Sequence, residues 1–102
     1  MDAELKAKWV VTLRSGNYQQ SGGQLRDSNN YCCCLGVLCD IAEPSGWKNM
    51  DWGFFHNGHD CLPSYRFLSR IGLPLGSANE LAHMNDHGVS FAEIADWIEQ
   101  NL

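Results

Sequence analysis

Four polar side chains fall close together near the start of the chain: Arg14, Tyr18, Gln20 and Arg26. A second stretch, residues 45–61, holds Trp47, Trp52, Phe54 and Phe55 among Gly and Asn. These residue types suit one kind of chemistry. Aromatic faces stack on planar rings, guanidinium forks pair with phosphate, and side-chain amides read ring edges. The set Arg14, Tyr18, Gln20, Arg26, Trp47 and Trp52 is therefore the candidate binding surface for a small nucleotide-like molecule. A competing reading is that the aromatics finish a core, because a chain this short has little apolar cover. The sequence leaves both open.

Other constellations carry less. His56-x-x-His59-x-Cys61 offers three soft or borderline ligands, and Cys34 or Cys39 could add a fourth. The spacing is not that of a zinc finger, so no metal and no cofactor is expected. Cys33 or Cys34 near a helix start could have a lowered pKa, with His83 or His87 as base, but cysteines inside an apolar helix are usually inert. Asp40 is the single charge of an apolar segment and falls in its last turn, where the helix dipole disfavours it. It calls for a partner: Arg14 or Arg26 as an ion pair, or the amides of a turn. Asp86 is expected to cap its own turn. There is no Gly-rich phosphate loop, no Ser-His-Asp spacing and no His-Glu-x-x-His, so the expectation is not an enzyme.

The apolar segment that must position these groups is Tyr31-Cys-Cys-Cys-Leu-Gly-Val-Leu-Cys-Asp-Ile-Ala42. It is apolar nearly all round and reads as a buried central helix over 31–42, too short to cross a bilayer. Ser28, Asn29 and Asn30 precede it as candidate N-caps, and Pro44 closes it. Gly36 inside it costs about 1 kcal/mol relative to alanine, which a close backbone approach there would explain. Ahead of it, Leu5, Trp9 and Leu13 predict a helix over 3–14 ended by Gly16. Residues 17–27 read as a short polar hairpin around Ser21-Gly22-Gly23, and residues 45–61 as a second hairpin or irregular region. Pro63 at N1 then starts a short helix to Ile71. Two Ser-x-x-Glu boxes, Ser77–Glu80 and Ser90–Glu93, predict two more helix starts. Asn85-Asp86-His87-Gly88 is the turn between them.

Hydrophobic residues make up 44% of the 102, enough for a core. The net charge is −5, and residues 71–102 hold five acids and no Lys or Arg. That argues against sequence-independent nucleic-acid binding. No signal peptide is visible, and five cysteines, three of them consecutive, predict reduced thiols in a cytoplasm.

Several pieces occur together in one order: Trp9…Leu13-Arg14-Ser15-Gly16-x-Tyr18-x-Gln20, Leu25-Arg26, Cys33-Cys34-Leu35-Gly36-Val37-Leu38-Cys39-Asp40, Leu62-Pro63, Gly72-Leu73, and Asn85-Asp86-x-Gly88-x-Ser90-Phe91. This pattern resembles a family of small uncharacterised bacteriophage proteins; Cys32 departs from it, and residues 44–61 match it least. The resemblance implies action in the host cytoplasm on host or phage components, and it implies no activity.

The expectation is an α+β chain, one domain over 1–102. About five short helices surround the central one, with one or two short hairpins. Its predicted function is capture of a nucleotide-like ligand, such as a host immune signal, without turnover, as a counter-defence accessory. The alternative is a protein-interaction module that blocks or adapts a host or phage protein. That reading draws on Trp97 exposed beside Glu93, Asp96 and Glu99. No membrane contact is expected, and a homo-oligomer is compatible with either reading.

Overall fold

The computed structural model describes residues 1–102. Five α-helices and a three-stranded antiparallel sheet make it α+β. Helix α1 spans Ala3–Arg14, capped by Asp2 through Leu5 N. Its apolar stripe buries Trp9, Val10 and Leu13, and the Trp9 indole donates to the Cys34 carbonyl at 3.0 Å.

The central helix, α2, runs Cys34–Ala42, three residues shorter at its start than expected. Ser28, Asn29 and Asn30 do not cap it. Asp27 captures that stretch instead: its carboxylate accepts from Asn29 N and Tyr31 N, and Asn30 turns left-handed at φ 68°. The cap is Cys33, whose sulfur accepts from Gly36 N. Every residue from Cys34 to Cys39 is buried. Gly36 faces the 25–27 segment so closely that a Cβ would lie 1.8 Å from the Leu25 carbonyl oxygen. The backbone approach inferred from this glycine is therefore present.

Residues 17–27 do not form a hairpin. Their backbone partners lie elsewhere: Cys32 N donates to Gln19 O, Ser21 N to Cys32 O, and Leu25 N to Asp60 O. Leu25 is wholly buried under α2, and burying it pulls the segment away from self-pairing. Only Arg26–Asp27 becomes a strand, β1. Strands β2 (Trp47–Met50) and β3 (Gly53–His56) form the second expected hairpin, and β3 lies between β1 and β2.

Helix α3 is Tyr65–Ile71. Its cap is Ser64 rather than a proline at N1, with Pro63 one residue further out. Helix α4, Leu75–Asp86, begins two residues before Ser77. Pro74 ends the preceding turn and sets the start, so Ser77 is inside the first turn and caps nothing. Helix α5, Phe91–Asn101, starts at Ser90 as its box predicts, with Glu93 N donating to Ser90 Oγ. All five helices contribute to one buried cluster with Cys32 to Cys34 and Leu25. No helix is long and apolar enough to cross a membrane.

Candidate functional site

Asp40 organises the site. It projects from the last turn of α2 with no cation bonded to it; neither Arg14 nor Arg26 pairs with it. The Tyr18 hydroxyl donates to Oδ2, and the Trp47 indole N–H donates to Oδ1 at 3.0 Å. Two neutral donors, one from the loop after α1 and one from the start of β2, thus hold the charge. Burial, then the bond to Asp40, pushes the Tyr18 hydroxyl pKa up, so it stays a donor.

Arg26, on β1, stacks beside this pair. Its guanidinium lies 4.0 Å from the Phe54 ring centroid and 5.4 Å from that of Trp47. Nε and Nη2 donate to Asn30 Oδ1 at 3.2 and 2.8 Å. The remaining N–H groups of its fork have no protein acceptor. Tyr18, Arg26, Asn30, Tyr31 and Asp40 line a cleft of 290 Å³, together with Asn17, Gln19, Asn29 and Cys32. Tyr31 is 43% exposed there. The volume falls just below the ~300–1,000 Å³ of typical small-molecule sites, which fits one nucleoside-sized group.

Of the six predicted site residues, Tyr18, Arg26 and Trp47 converge around Asp40. The other three do not. Arg14 turns to α5 and bonds Asp96 and Glu99 at 2.5 and 2.6 Å; the hydrogen bonds, Glu99 first, raise its pKa. Gln20 is structural: Nε2 donates to Asn85 Oδ1 and to the Val89 carbonyl. Trp52 stands on the β2–β3 turn, 58% exposed, with its ring edge-on to Phe55. Sequence reasoning missed Asn30 and Tyr31. The one signal for them is Asp27-x-x-Asn30, a turn with a left-handed asparagine, read there as helix capping.

Asn85 and Asp86 sit in the last turn of α4, not in a free turn. Buried Asn85 accepts from Gln20 Nε2 and Cys34 N and donates to the Ser21 carbonyl. Asp86 accepts from Gly23 N rather than capping its own turn. Together they fasten the 20–23 segment across α2.

Cys33 and Cys34 do not have the lowered pKa considered for them. Burial pushes Cys33 up to about 11 and Cys32 up to about 12, and raises Cys34 and Cys39 as well. His56, His59 and Cys61 do not form a metal cluster. His56 is buried between Trp47 and Phe67, with Nε2 on the Glu43 carbonyl at 2.9 Å, while His59 is exposed. A larger cleft of 470 Å³ lies between Glu43 and α3. Its single apolar lining residue is Phe67, and Glu43 is held there by Asn57 and Arg70. The Asn57 hydrogen bond is the main cause that keeps the Glu43 pKa low. This cleft has no open aromatic face and gathers none of the predicted residues. On α5, Trp97 is half-buried against the core, and its acidic neighbours Asp96 and Glu99 are engaged by Arg14. Glu93, Asp96 and Glu99 face solvent as the sequence suggests, but the tryptophan beside them is half-buried rather than exposed.

The family described as Domain of unknown function (DUF8296) matches residues 1–61. The match spans every residue of the Asp40 cleft and stops short of Asn85 and Asp86. No curated protein and no solved structure matches the chain.

Proposed function

We propose that this chain, which belongs to the DUF8296 family, is a binding module that holds a small nucleotide-like ligand in the Asp40 cleft without turning it over. The observation that carries this reading is the arrangement at Asp40. A carboxylate fixed by Tyr18 and Trp47 stands beside the Arg26 guanidinium, and Tyr31 is open next to them. A planar base stacks on Tyr31, its ring N–H donates to Asp40, and the free N–H groups of Arg26 meet its phosphate. The likeness to small bacteriophage proteins supports an accessory, counter-defence role in the cytoplasm of an infected cell, with the ligand a host signal.

The test is a thermal-shift panel of nucleoside monophosphates, diphosphates and cyclic mono- and dinucleotides, followed by chromatography of the bound ligand. A ligand that raises the melting temperature, comes back unchanged and loses affinity in Arg26→Ala supports the reading. No shift at millimolar ligand across the panel overturns it. The second reading, a protein-interaction module, draws on Trp52, an exposed tryptophan at a hairpin tip. Capture of a specific partner that is lost in Trp52→Ala with the nucleotide panel silent would favour it.

A further inference from the structure

We propose that His83 and His87 form a two-imidazole chelate for a borderline divalent ion of the zinc, nickel and copper group. The two residues are one turn apart at the C-terminal end of α4 and both are exposed. Their ring centroids are 4.1 Å apart with the planes tilted by 34°. Side chains at this spacing share one helix face, and the His83 ring is free to rotate about its broad χ2 torsion. His87 Nδ1 lies 2.8 Å from the His83 carbonyl oxygen. A carbonyl only accepts, so Nδ1 carries the proton and Nε2 keeps its lone pair for a metal. Ligating histidines are held in this way, the far nitrogen donating to a backbone carbonyl. The His83 ring makes no hydrogen bond to the protein and is free to complete the pair.

No third side chain joins them, so water fills the remaining coordination positions. With neutral nitrogen ligands the order of affinity is copper above nickel and zinc. The ion closes a ring around Met84, Asn85 and Asp86. Asn85 and Asp86 are the residues that fasten Gln20, Ser21 and Gly23. Metal binding therefore tightens the segment that follows Tyr18, independently of any ligand in the Asp40 cleft.

The experiment is isothermal titration of nickel chloride and of copper sulfate into the untagged protein, with retention on an immobilised nickel column as a second readout. The wild type is expected to bind one equivalent and to be retained, and its melting temperature to rise with nickel. His83→Ala and His87→Ala each lose about tenfold or more in affinity and elute early, while His59→Ala behaves as wild type. Both substituted side chains are exposed, so the variants keep the fold, which circular dichroism checks. Absence of binding by the wild type, or equal binding by the wild type and His83→Ala, overturns the proposal.

Discussion

The Tyr18 hydroxyl donates to Asp40, tying the loop after α1 to the last turn of an otherwise apolar helix. A carboxylate at that end of a helix meets the negative pole of the dipole. An ion pair is the usual remedy, yet the arginine nearest to hand, Arg26, lies over Phe54 instead. The phenol and the Trp47 indole supply neutral donors to both oxygens, which leaves the guanidinium available.

Removing the hydroxyl isolates its contribution. Tyr18→Phe keeps the ring and deletes one of two donors to a half-buried charge. Hydrogen bonds to charged groups contribute more than neutral ones, and partial exposure reduces the effect, so the expected loss is about 1.5 kcal/mol in urea denaturation. An unchanged midpoint would mean that water serves Asp40 equally well.

Alkaline pH reads the same groups together. Burial first, then the bond to Asp40, raises Tyr18 above its ordinary 10.0. Burial also raises Cys33 and Cys32 from 9.0 to about 11 and about 12. Each folded group keeps its proton at a pH where the unfolded chain has released it. The stabilisation is complete below the unfolded values and is lost as pH rises through the folded ones. Under reducing conditions the urea midpoint is expected to fall steadily from about pH 9 to pH 11, and less steeply above about pH 10 in Tyr18→Phe. A flat midpoint over that window contradicts the burial of these thiols.

The parts that were legible in the sequence are those set by neighbours along the chain. Leu5, Trp9 and Leu13 mark α1, the Ser90–Glu93 box starts α5, and Gly36 signalled a close backbone approach, though not that Leu25 makes it. The parts that were not legible depend on distant partners. Residues 17–27 read as a hairpin because their polar, glycine-rich composition resembles one, but their hydrogen bonds go to Cys32, Asp60 and Asn85. Ser77 has the pattern of a cap, and Pro74 settled the helix start first. At the site, the need of Asp40 for a partner was readable from its position. That the partners would be a phenol and an indole was not, because they reach it from a loop residue 22 positions before it and a strand residue 7 after it.

Asn85 offers a direct measure of those distant contacts. Asn85→Ala leaves Cys34 N and the Ser21 carbonyl without their buried partner, and the expected loss is about 3 kcal/mol. Gln20→Ala removes an exposed amide from the same network, and water replaces it, so under about 1 kcal/mol is expected. Urea denaturation of both variants checks the ranking. Equal losses would mean that Gln20 carries as much of the structural weight as Asn85.

Arg14 separates the Asp40 cleft from the other surface the sequence proposed. Its guanidinium is bonded to Asp96 and Glu99 and lines the groove between α1 and α5, not the cleft. These ion pairs are open to solvent, so Arg14→Gln is expected to shift the urea midpoint little, and less still in high salt, where exposed charges are screened. Nucleotide affinity should be unchanged in Arg14→Gln and reduced in Arg26→Gln, measured by the same titration. Arg26 presents N–H groups to the cleft beside Asp40 and Tyr31, so losing its charge removes the one cation that a phosphate meets there. Should Arg14→Gln weaken binding as much as Arg26→Gln, the ligand sits against α1 and α5, and Asp40 with its two donors holds the loops together and nothing more.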